Sequence, residues 1–104
     1  MNLIYIEGNL VKEPEVIYTE KGTAITKALI AESNADGTPH YINLVMFGES
    51  AERFGNDFIV GRQYKAEGRL IMNDYVNKLG KKVRRYDIYV RHVQGGYIPK
   101  KYKV

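Results

Sequence analysis

Only one stretch of this 104-residue chain carries its apolar side chains at helical spacing; elsewhere they recur at every second position. A period of two marks half-buried strands, whereas a period of 3.6 marks a helix lying on a core. The helical exception is GESAERFGNDF (48–58), where Ala51, Phe54 and Phe58 share a face and Ser50 is placed as N-cap. One short helix inserted among many strands is a narrow constraint on architecture.

The strands follow in order. LIYIEGNLV (3–11) puts Ile4, Ile6, Gly8 and Leu10 on one face, and a mid-strand glycine there predicts a bulge or close backbone approach. EVIYT (15–19) is short and extended, and EKG (20–22) is a turn in which Gly22 takes positive φ. TAITKALIAE (23–32) sets Ala24, Thr26, Ala28 and Ile30 against Ile25, Lys27 and Leu29, and SNADGTP (33–39) is a loop. YINLVMF (41–47) precedes the helix, and RQYKAEGRLI (62–71), with a second mid-strand glycine at Gly68, follows it. MNDYVNKLGKKVRRYDIYV (72–90) reads as two extended arms around NKLGKK, a long hairpin. Five strands with a short helix between the third and fourth is the element order of an OB-fold barrel. The expectation is an all-β chain: a five-stranded OB-fold barrel with one short helix between strands 3 and 4 and a long basic β-hairpin between strands 4 and 5. Residues 1–94 form the barrel domain and 95–104 a short basic tail.

The net charge of +4 conceals an asymmetry: residues 1–60 hold four Lys/Arg against nine Asp/Glu, and residues 61–104 hold twelve against three. A second half so basic suits an anionic partner or a solubilising surface. With no cysteine, disulfide scaffolds, thiolate-ligated zinc and thiol catalysis are excluded. No apolar run approaches the ~20 residues of a membrane span. The start MNLIYIEGNL has no basic n-region, so no signal peptide is expected and the location expected is cytoplasmic. P-loop, HExxH and GxSxG motifs are absent, and His40 and His92 read as turn or surface residues. No catalysis, cofactor or metal is expected.

YINLVMF poses the functional question. Ile42, Leu44 and Met46 make one apolar face, yet Tyr41, Asn43, Val45 and Phe47 make an opposite face ill-suited to water alone. Nine tyrosines in so short a chain are also an unusual way to build a core, since each buried phenol needs a hydrogen-bond partner. Aromatics standing on a sheet beside cations form a platform for unstacked bases. Tyr41 and Phe47 project from the same side of their strand, and Tyr75 opens the basic hairpin. Lys78, Lys81, Lys82, Arg84 and Arg85, with Arg69 on the preceding strand, are the candidate phosphate contacts, and Lys100, Lys101, Tyr102 and Lys103 candidate tail contacts.

PEVIYTEKGTAITKALIA (14–31), YINLVMFGESAE (41–52), AEGRLIMNDYVNKLGKK (66–82) and the opening IEGNLVKEPE resemble the bacterial single-stranded-DNA-binding protein family over roughly residues 1–93. The resemblance implies an OB barrel that assembles as a homotetramer or dimer, pairing first strands, and coats single-stranded DNA during replication, recombination or repair. It also implies stacking roles for Tyr41, Phe47 and Tyr75; a fourth family stacking position falls near Asn34–Ala35, where this chain has a shorter loop and no aromatic. Members usually continue into a flexible linker with an acidic tip that recruits other proteins; YIPKKYKV carries three lysines and no acid, so such recruitment is not expected, and a phage, plasmid or auxiliary member fits. An RNA-binding module, or a primosomal-type protein-interaction adaptor with weak DNA binding, remains the alternative.

Overall fold

The computed structural model describes residues 1–98. Six strands and one helix follow in the order β1 (Ile4–Leu10), β2 (Glu15–Tyr18), β3 (Ala24–Ser33), β4 (Pro39–Phe47), α1 (Gly48–Asp57), β5 (Gln63–Val76) and β6 (Lys82–Gly95). All strands join one sheet in the order β1-β5-β6-β4-β3-β2, and a further β1–β3 pairing closes a ring. The ring consists of the five expected strands, here β1, β3, β4, β5 and β6, with the β4–β6 pair parallel and its other pairs antiparallel. This is the OB arrangement. β2 is a sixth, flanking strand: it pairs with β3 from Glu15 to Tyr18, and β1 takes over the same edge at Asn9 and Leu10.

Alternation decides what fills the ring. Leu10 from β1, Ala28 and Ile30 from β3, Leu44 and Met46 from β4, Tyr64 and Ala66 from β5 and Ile88 from β6 are all buried in one cluster. α1 plugs one end with Ala51 and Phe54. Two polar groups enter this core with partners: Thr26 Oγ1 donates to the Ala51 carbonyl at 2.7 Å, and Tyr64 Oη accepts from the Ile59 N–H at 3.0 Å. Tyr64 is the only tyrosine buried among the described residues; six of the others are exposed.

A small barrel must bend its strands, and the two mid-strand glycines lie where backbones come closest. A Cβ on Gly8 would stand 2.7 Å from the Ala31 carbonyl oxygen, at the β1–β3 closure. One on Gly68 would overlap the Tyr89 carbonyl oxygen, next to the register shift between Glu67 and Gly68. The helix start differs from expectation. Phe47, not Ser50, occupies the N-cap position, and Ser50 lies one turn in, its hydroxyl donating to the Phe47 carbonyl at 3.0 Å. Gly48, at φ 68°, turns the chain abruptly from β4 into α1, so the helix begins three residues earlier than a Ser50 cap implies. The segments 62–71 and 72–76 also merge into the single fourteen-residue strand β5.

Candidate nucleic-acid interface

Strand register places side chains of four strands on one outer face. On β4 the row is Tyr41, Asn43, Val45 and Phe47, opposite Ala31, Leu29, Lys27 and Ile25 of β3. On the other side Asn43 and Val45 meet Asp87 and Tyr89 of β6. These in turn oppose Ile71 and Arg69 of β5, and the same row continues through the pairs Asn73–Arg85 and Tyr75–Val83. One continuous surface therefore carries Tyr41 (55% exposed), Phe47 (41%) and Tyr75 (47%), together with Arg69, Arg85 and Lys27.

The aromatic rings of β4 are backed by the barrel. Phe47 meets Tyr89 edge to face with centroids 5.2 Å apart, which fixes both rings in the orientation aromatic pairs favour. Beneath them Leu44 and Met46 are fully buried, so β4 cannot rotate its outer row away. A ring held in place loses little further freedom when a base stacks on it, so more of the stacking energy appears as affinity.

The basic residues have separate placements. Arg85 shares the aromatic face, its Nε donating to Asp87 Oδ2 at 3.1 Å. Lys82 and Arg84 point from the reverse face of the hairpin, with Arg84 Nε donating to Asp74 Oδ1 at 2.9 Å. Hydrogen bonding to Asp74, and secondarily to Tyr86, raises the Arg84 pKa above its ordinary value. Lys78 and Lys81 belong to the hairpin turn, where Asn77 Oδ1 accepts from the N–H groups of Leu79 and Lys81. The candidate tail contacts Lys100, Lys101, Tyr102 and Lys103 lie outside the described residues.

Sequence reasoning missed Lys27, Tyr89 and Asp87 on this face. Period two already shows that Arg85, Asp87 and Tyr89 share a side of β6. That this side adjoins the Tyr41 row depends on the parallel β4–β6 register, which the local sequence does not display. A hollow of about 290 Å³, lined by Arg53, Phe54, Arg62, Tyr64, Arg91 and His92 among others, lies beside α1. His40 is exposed, 3.6 Å from Glu32, and no group of three or more metal-ligating side chains occurs among the described residues. No described helix is long and apolar enough to cross a membrane.

A five-strand OB ring with aromatic and cationic side chains on one outer face is a barrel of the oligonucleotide-binding class. The single-strand binding protein family model matches residues 1–95, and the chain belongs to that family. It is 35% identical over 104 residues to the single-stranded DNA-binding protein of Fusobacterium nucleatum, covering 92% of this chain and 67% of that protein. It is 28% identical to the single-stranded DNA-binding protein of Bacillus cereus and 27% to single-stranded DNA-binding protein A of Bacillus subtilis, each over 90% of this chain. The chain spans just under 60% of the length of those two relatives (59% and 58%).

Proposed function

We propose that this chain binds single-stranded DNA with little sequence preference, coating strands exposed in replication, recombination or repair. The observation that carries the reading is the common face of Tyr41, Phe47 and Tyr75, with Arg69, Arg85 and Lys27 interspersed. Bases stack on the rings and phosphates meet the cations, an arrangement that needs bases already unpaired. Family membership and the relatives' names point the same way. Assembly into a dimer or tetramer is part of the proposal. β1 pairs with β5 along Ile4–Asn9 but with β3 only at Asn9 and Leu10, so one edge of Ile4–Gly8 is without a strand among the described residues, beside exposed Leu3 and Tyr5.

Titration with oligo-dT, duplex DNA and RNA of equal length tests the binding. Oligo-dT is expected to bind far more tightly than duplex; equal affinity for duplex overturns the platform, and tighter RNA binding reassigns the partner. Light scattering at micromolar concentration tests assembly, and a monomer with DNA binding intact overturns β1 pairing.

A further inference from the structure

Asp87 is 3% exposed and sits in the middle of the aromatic face, between the Phe47–Tyr89 end and the Tyr41 and Tyr75 end. Its Oδ2 accepts two hydrogen bonds, from Arg85 Nε and from Asn73 Nδ2, both at 3.1 Å. Its Oδ1 takes none from any described residue, yet among the described residues no buried side-chain nitrogen or oxygen is left without a partner, so Oδ1 reaches the surface. The surface there is a hollow of about 80 Å³ lined by Lys27, Asn43, Leu44, Val45, Arg85 and Asp87. It is far below the ~300 Å³ and upward of a small-molecule pocket, so it takes an edge rather than a whole ligand.

Arg85 offsets the charge of this carboxylate, but its free oxygen is still an acceptor, which the N–H of a base edge can meet and a phosphodiester, having no donor, cannot. We propose that the Asp87 hollow reads the edge of one base and favours cytosine, an inference that rests on the single-strand reading above. The recessed Oδ1 accepts from an exocyclic amine, which protrudes from the ring and can reach it, as carboxylates accept from cytosine N4 elsewhere. Lys27, Asn43 and Arg85 at the rim supply donors for the neighbouring N3 and O2. Uracil and thymine present a carbonyl oxygen where cytosine has its amine, and that oxygen faces the carboxylate unfavourably. Such a contact gives a modest preference at one position within an otherwise sequence-tolerant footprint.

Homo-oligomers of dC and dU test this, because they differ only at that edge and carry equal phosphates. Oligomers of about 12 nucleotides lie within the ~4–16 that an OB barrel covers. Wild type is expected to favour dC by about tenfold, the order expected of a hydrogen bond to a charged acceptor. In Asp87→Asn the donors Arg85 and Asn73 hold the amide oxygen, leaving the NH₂ in the hollow, so the dC:dU affinity ratio falls to one or inverts. Equal wild-type affinities, or an unchanged ratio in folded Asp87→Asn, overturn the inference. Wild type alone gives a second measurement should the variant not fold. Methylating N4 twice on dC removes the donor, and affinity must drop to the dU level or below; undiminished affinity overturns the inference. Failure of every oligonucleotide to bind overturns the single-strand reading itself.

Discussion

The β5–β6 hairpin passes through two environments, and the contrast between them organises the molecule. Within the barrel, Tyr64–Leu70 and Ile88–Gly95 contribute Tyr64, Ala66 and Ile88 to the core and are flanked by β1 and β4. Beyond it, Met72–Val76 and Lys82–Tyr86 pair only with one another, and Met72, Val76, Leu79 and Tyr86 are exposed. An isolated two-stranded ribbon is marginally stable in water. The body therefore holds its aromatics in place, whereas the arm, supported only by its own two strands, is expected to lose more conformational entropy on binding. Chemically similar side chains are expected to contribute unequally according to where they stand.

The largest expected effect tests the body. In Gly68→Ala the new Cβ overlaps the Tyr89 carbonyl oxygen, an obstacle of backbone that cannot swing aside. Overpacking of this kind costs about 1–3 kcal/mol or more. A surface change in the arm, Tyr86→Ala, should stay within ~0.5 kcal/mol. Urea unfolding compares the two, and equal losses would erase the distinction between body and arm.

Stacking gives the next effect. Tyr41→Ala and Phe47→Ala should each weaken oligo-dT binding by about 1–3 kcal/mol, and Tyr75→Ala by only about 1 kcal/mol. Phe47→Ala also removes the edge contact with Tyr89, so it should lower folding stability as well. Titration of variants whose circular dichroism matches wild type checks the order. A larger loss for Tyr75 than for Tyr41 would mean that the arm is already ordered in the free protein.

What the sequence made legible follows the same division. Within the body, period two assigned the inner faces of β1, β3 and β4 correctly because the buried side chains there, Val45 of β4 excepted, fall on one side, and both mid-strand glycines marked true close approaches. Along the arm both faces mix polar with apolar side chains and are largely exposed, so alternation separates Arg84 from Arg85 without saying which one shares a face with Tyr41. That choice depends on the distant β4–β6 register and the Arg84–Asp74 pairing on the register across the hairpin, whereas Arg85 and Asp87 are two apart on β6 and share a side by alternation alone. The N-cap was misplaced for a related reason: Gly48 offers a tight strand-to-helix turn that competes with the Ser50 signal.

Charge gives a smaller effect. Each phosphate neutralised on a single strand contributes ~0.7 to the log–log salt slope. Arg84 and Arg85 are held by carboxylates, whereas Lys78, Lys81 and Lys82 have no carboxylate partner among the described residues. Replacing the three lysines with glutamine should flatten the slope by up to ~2, and replacing the two arginines by less than ~1. The reverse order would show that binding frees the arginines from Asp74 and Asp87.

The smallest effect probes how far order in the body extends at its surface. Tyr5, on β1, lies opposite Glu67 of β5, and its hydroxyl donates to Glu67 Oε1. That hydrogen bond, followed by the carboxylate's charge, raises the Tyr5 pKa above 10.0, while Arg91, 3.2 Å from Glu67, opposes the shift. A phenol whose pKa is raised by folding contributes stability that is fully present below its unfolded pKa and is lost as pH rises through the folded value. Tyr5→Phe should therefore be slightly less stable than wild type at neutral pH, and the difference should vanish in alkali. Glu67→Gln should bring the Tyr5 titration, followed by NMR of ring-labelled tyrosine, back towards its ordinary value. An unaltered titration in Glu67→Gln would mean that this exposed pair is not held in solution, and that order in the body stops at the sheet backbone.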